Sequence, residues 1–140
     1  MLLHSYKKIK IMKINAISDL HGKIELDKLT IDGEILCIAG DFIPLSIQRN
    51  IPESLKWIKE KFIPWANKLS VNKVFLVAGN HDFVASSTDF KDLFINTKII
   101  YLEDESYEYL SDSGYTYKIY GTPWCTKYGN WNFMLDSENL

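Results

Sequence analysis

Three short apolar runs lie in the first 80 residues, and each ends in a polar cluster. Ile9 to Ser18 alternates and then runs apolar, as a strand does, and closes in Asp19-Leu20-His21-Gly22. Ile35-Leu36-Cys37-Ile38-Ala39 is continuously apolar, the pattern of a strand covered on both faces, and closes in Gly40-Asp41. Lys73 to Ala78 repeats that pattern and closes in Gly79-Asn80-His81-Asp82. Residues 24–33 hold a short segment that ends at the turn signal Asp32-Gly33. Between the second and third runs, Pro52-Glu53-Ser54 reads as a helix start, followed by Leu55, Ile58, Phe62 and Leu69 at roughly helical spacing. Pro64 interrupts that pattern and predicts a kink or break near Ile63. Further on, Asp89 to Phe94 suggests a short helix and Lys98 to Leu102 a strand. Tyr107 to Leu110 and Tyr115 to Tyr120 flank Ser111-Asp112-Ser113-Gly114 as the arms of a hairpin. After Gly121-Thr122-Pro123-Trp124 the chain is aromatic and without period.

Strands alternating with helical segments predict an α/β domain. In an open α/β sheet, ligands bind outside the carboxyl ends of the strands, so the three polar clusters are expected to converge on one rim. Their chemistry is that of a metal site. Asp carboxylates, a neutral imidazole and an amide oxygen form a mixed O/N set suited to Mn, Fe, Zn or Ni. Asp41 has two oxygens with which to bridge two ions, and Asn80 offers a carbonyl oxygen without adding charge. Two ions roughly 3.5–4 Å apart clamp a phosphate and generate hydroxide at neutral pH, which leaves His81 to act on the substrate. Taken singly, Asp19 and His21 also fit a strand-end turn with a structural hydrogen bond; it is the repetition at three strand ends that favours metal.

The bulk properties narrow the class. At 140 residues the chain is one domain's worth, with 46% hydrophobic and 24% charged residues, an ordinary globular balance. The net charge of -2 excludes a general nucleic-acid binder and a basic membrane module. No apolar run approaches the roughly 18 residues of a membrane span, and the first residues lack the apolar stretch of a signal peptide. The two cysteines, Cys37 and Cys125, have no CxxC spacing and form no disulfide framework, so a reduced, cytoplasmic protein is expected. Residues 1–11 read as an N-terminal extension, with His4 a tail residue, and residues 12–140 as the domain. Among the remaining residues, Asp82 reads as a turn cap or as a partner that orients His81. Trp57, Trp65, Trp124 and Trp131 read as packing residues, and Arg49, the sole arginine, as a solvated loop charge.

Asp-x-His, Gly-Asp and Gly-Asn-His-Asp, in this order on successive strand ends, resemble the motifs of the calcineurin-like metallophosphoesterases. The resemblance covers the chain from about Met12 to its end. It implies an αββα sandwich with a centre of two divalent metal ions. By position, Asp19 and His21 resemble ligands of the first metal and Asp41 the bridging carboxylate. Asn80 resembles a ligand of the second metal, and His81, beside it, the catalytic histidine that assists the leaving group. Gly121-Thr122-Pro123-Trp124 with Gly129, Trp131, Phe133 and Met134 is similar to a subgroup related to the mammalian metallophosphoesterase-domain proteins, which implies phosphodiesterase-like activity. The family pattern continues with Gly-His and Gly-His-x-His motifs, whereas the histidines here are His4, His21 and His81. The resemblance therefore implies a truncated sandwich, the first sheet plus the start of the second, with an incomplete second metal site. The expected function is hydrolysis of a phosphate ester, in particular a phosphodiester, by metal-activated hydroxide, with a missing C-terminal half, a complementing chain or a second copy completing the site. The alternative is a catalytically inactive binding or assembly module on the truncated fold.

Overall fold

A computed structural model describes residues 11–25 and 30–140. Residues 1–10, with His4 and nearly all of the expected extension, lie outside the described residues, as does the middle of the 24–33 segment. Four strands, β1 (Ile14–Ile17), β2 (Ile35–Ala39), β3 (Lys73–Val77) and β4 (Ile99–Tyr101), form a parallel sheet in the order β1-β2-β3-β4. β5 (Glu105–Leu110) and β6 (Thr116–Gly121) form the expected antiparallel hairpin, with Tyr107 opposite Ile119 and Tyr109 opposite Tyr117. The tail holds regular structure that its sequence did not predict: β7 (Cys125–Thr126) pairs in parallel with β8 (Met134–Leu135).

The continuously apolar runs are explained by the layers. From β2, β3 and β4, Leu36, Ile38, Val74, Leu76, Ile99 and Tyr101 join one core, shared with the helical segment and with Phe42 and Phe90. On the opposite face Ile35 and Phe75 meet Leu102 and Tyr109, with Cys37, Val77, Ile100, Tyr107 and Ile119 around them. Each sheet face is thus covered, one by helix and one by the hairpin. Phe42, Phe62 and Phe90 are wholly buried or nearly so, and burying such a side chain contributes about 1.5–3 kcal/mol. Cys37 lies partly buried under the hairpin, and burial pushes its thiol pKa up. Both cysteines are free thiols.

The helix departs from expectation at Pro64. It opens as α1 (Ile51–Trp57), where the Asn50 side chain accepts the Glu53 N–H at 3.2 Å while the Asn50 amide donates to the Glu53 carboxylate at 3.1 Å. This reciprocal pair caps the first turn. No break follows. The chain continues through a π-helical turn (Ile58–Phe62) into α2 (Ile63–Lys68), so Pro64 lies inside continuous helix. The wider turn lets the Ile63 N–H reach the Ile58 carbonyl, which gives room where a proline ring would crowd the preceding turn of an α-helix. The buried stripe is Ser54, Ile58, Phe62 and Ala66, every fourth residue. Steps of four overshoot a 3.6-residue turn, and the wide turn takes up the excess, so the stripe keeps facing the sheet.

Candidate metal centre

The carboxyl ends of β1, β2 and β3 meet at one rim, and the backbone there takes an uncommon shape. Asp19, His21 and Asp41 all lie in the left-handed region, with φ of 54°, 43° and 55°. Each such non-glycine residue costs on the order of 1–3 kcal/mol and persists only where the surroundings over-determine it. A ladder of backbone bonds carries the β1–β2 pairing past the strand ends. The Asp19 N–H donates to Gly40 at 3.1 Å, the His21 N–H to Asp41 at 2.9 Å and the Gly22 N–H to Phe42 at 2.9 Å.

Asp82 supplies the other constraint. Its side chain is fully buried. One carboxylate oxygen accepts from the N–H of Asp41 at 2.8 Å, of Gly79 at 2.8 Å and of Phe42 at 3.4 Å; the other accepts from Ile43 at 3.0 Å. Burial raises its pKa to about 7 against the opposing pull of the backbone bonds from Gly79 and Ile43, and nearby Asp41 adds to the rise. Asp82 thus caps its own turn through the Gly79 N–H, as read from the sequence, and also ties the β2 loop to the β3 loop. Gly79 makes that junction sterically feasible, since a Cβ there would stand 2.1 Å from an Asp41 carboxylate oxygen and 2.5 Å from the Asp41 nitrogen.

This frame gathers the side chains. One donor atom each from Asp19, His21 and Asp41 falls within a mutual 4.8 Å. Nδ1 of His21 is buried and has no hydrogen-bond partner among the described residues, and the same holds for the amide nitrogen of Asn80. Buried polar atoms are rarely left so. A cation between the three donors would satisfy the imidazole, and turning the Asn80 amide over would present its carbonyl oxygen. The residues present therefore fit a divalent ion. The residue after Asn80 is tied to the trio: the His81 N–H donates to Asp41 Oδ1 at 2.9 Å, and the His81 ring stands edge-on to His21 with centroids 5.2 Å apart.

Several participants were not legible beforehand. Gln48 Oε1 lies 2.6 Å from His81 Nδ1; a glutamine in an irregular loop carries no local signal. Trp131, expected as packing, sits against His81 with ring centroids 4.3 Å apart. Arg49, expected as a solvated charge, lies 4.2 Å over the Phe83 ring and 5.2 Å over Trp131, and donates to the Asn130 carbonyl at 2.9 Å. Asn132 binds the tail to the β3 loop: its N–H donates to the Asn80 carbonyl at 3.1 Å and its amide to the Asp82 carbonyl at 3.2 Å. The other tryptophans do pack as expected: Trp57, Trp65 and Trp124 lie against the main core.

A parallel sheet whose strand ends present this donor set is the framework of a metal-dependent phosphoesterase, and the chain belongs to the calcineurin-like phosphoesterase family, whose model matches residues 12–138. Among curated proteins it is similar to metallophosphoesterase domain-containing protein 1 of Homo sapiens and of Mus musculus. It is 28% identical to each over 137 residues, covering 85% of this chain and 39% of the relative. The chain thus spans about two fifths of the length of these relatives. Members of the family generally bind divalent metals. The helix, the parallel sheet and the hairpin correspond to the first layers of the αββα sandwich. Among the described residues no helix is long and apolar enough to cross a membrane.

Proposed function

We propose that this chain carries the first-metal side and the leaving-group side of a phosphoester hydrolase, with a phosphodiester as substrate. The observation that carries the reading is the trio Asp19, His21 and Asp41, held by strained backbone with the His21 Nδ1 buried and unpartnered. In this reading Asp19 and His21 hold one ion, Asp41 extends toward a second, and Asn80 adds a neutral oxygen. Bound divalent ions supply fixed positive charge for the phosphoryl oxygens and lower the pKa of water. His81 faces the leaving oxygen, to which it donates a proton as the phosphorus–oxygen bond breaks. No histidine lies between His81 and Leu140, so the later Gly-His and Gly-His-x-His motifs of the family pattern are not among these residues. The free thiols of Cys37 and Cys125 support a reducing, cytoplasmic setting.

The test is manganese titration followed by calorimetry, with hydrolysis of bis(4-nitrophenyl) phosphate as the activity. Mn is expected to bind the wild type and to activate hydrolysis, and Asp41→Ala is expected to abolish both. Turnover that survives Asp41→Ala sinks the reading. A second reading, a non-catalytic assembly module, is favoured by the exposed Leu110, Tyr115 and Tyr120 of the hairpin. It predicts oligomers in sedimentation and no turnover with any added metal.

A further inference from the structure

His81 is gripped on several sides, and the contacts differ in what they leave open. Its backbone N–H is fixed by Asp41 at 2.9 Å. Trp131 packs at 4.3 Å between ring centroids, tilted by 44°, and Arg49 bears on Trp131 from 5.2 Å. His21 meets the ring edge-on. Among the described residues the one hydrogen bond to the ring is at Nδ1, where Gln48 Oε1 stands 2.6 Å away. An amide carbonyl oxygen accepts and cannot donate, so this contact requires the hydrogen to be on Nδ1. The neutral ring then carries its lone pair on Nε2.

We propose that Gln48 is the positioning residue of His81: it holds the Nδ1–H tautomer and so leaves Nε2 as the single atom through which His81 exchanges protons with the substrate. This rests on the reading of His81 as the group beside the leaving oxygen. The proton count closes. Nε2 takes a proton from the attacking water, which makes the ring a cation with Nδ1–H still on Gln48, and the hydroxide left behind forms the new oxygen–phosphorus bond. When the phosphorus–oxygen bond breaks, its electron pair goes to the leaving oxygen. That oxygen takes the Nε2 proton, and the ring returns to the tautomer from which it began. A histidine free to hold its hydrogen on either nitrogen spends part of its time with Nε2 already protonated but uncharged, a poor acid for this step. The neutral amide does this without placing another negative charge beside Asp19 and Asp41.

The tautomer can be read directly by long-range proton–nitrogen correlation on the labelled chain at pH 8. The chain has three histidines, and the His81 signals are the set lost in His81→Asn. The expected result is hydrogen on Nδ1 in the wild type. It is expected to stay there in Gln48→Glu, whose carboxylate can only accept, and to be mixed between the nitrogens in Gln48→Leu. In turnover, Gln48→Leu is expected to lower kcat on the order of tenfold with KM and manganese affinity unchanged, and Gln48→Glu to restore most of it. Hydrogen on Nε2 in the wild type overturns the proposal, because the amide is then turned to donate; so does an unchanged pattern in Gln48→Leu. Absence of turnover in every form counts against the hydrolase reading and leaves the tautomer result to decide the role of Gln48.

Discussion

The rim of the parallel sheet and the outer face of the β5–β6 hairpin are both surface regions, yet opposite means hold them. At the rim the main chain is over-determined. Three left-handed residues are locked by strand-to-strand bonds, and a buried carboxylate accepts four N–H groups from two loops. The hairpin is held from one side. Tyr109 points inward, meets Phe75 edge-on at 6.2 Å and donates its hydroxyl to Glu34 at 3.2 Å. Leu110 and Tyr120 point outward and are more than half exposed. The rim is specified atom by atom through hydrogen bonds, so small changes there are expected to propagate. The hairpin is specified by apolar contact on one face, so its other face tolerates change.

The contrast can be broken most severely at Asp82. Asp82→Ala strands the buried N–H groups of Phe42 and Ile43 and the part-buried ones of Asp41 and Gly79, and it is expected to lower stability by about 3–5 kcal/mol in urea titration. A loss below about 1 kcal/mol would mean that the carboxylate does not organise the rim. Gly79→Ala should come next. Its methyl has to displace Asp41, and the expected result is a loss of about 1–3 kcal/mol with manganese affinity weakened tenfold or more, on the order seen when a ligand's support is removed.

Smaller and slower in onset is the effect of pH on the metal-free chain. Asp82 binds its proton more tightly when folded, with a pKa of about 7, than when unfolded, at roughly 3.9. The stability from this group is therefore complete below the unfolded value and is lost as pH rises through about 7. Subtracting the profile of Asp82→Asn from that of the wild type should leave a curve that falls with rising pH across this window; a flat or rising difference refutes it. At the tolerant end, Leu110→Thr is expected to change stability by less than about 0.5 kcal/mol. A large loss there would mean that the outer hairpin face is covered in solution.

Much of the fold is written in local pattern. β2 and β3 are legible because burial on both faces leaves no alternation, only a run of apolar residues ended by Gly-Asp or Gly-Asn. The hairpin arms are legible from their turn. The helix shows its start in Pro52-Glu53-Ser54, but Pro64 misleads, because a single wide turn is enough to accept a proline that an α-helical turn rejects. The strand-end position of Asp19, His21 and Asp41 can be read from sequence, but their left-handed backbone cannot, since it is imposed by a neighbouring strand and by Asp82. Gln48 and Trp131 escape notice for a different reason. Each meets His81 only after the chain has closed on itself, 33 residues apart in the case of Gln48, and neither residue type announces that contact.

The left-handed backbone at Asp19, His21 and Asp41 also sets the site against the thermostability of the protein that carries it. Glycine relaxes such a conformation at once, so at these three positions the sequence best for folding is the one that deletes a donor of the proposed metal site. A library of this chain selected for heat resistance alone should drift toward glycine there, shedding the metal donors early while the sheet beneath stays intact. Screening for thermostable variants therefore needs a metal-binding step in each round, because stability gained at these positions removes a donor of the proposed site.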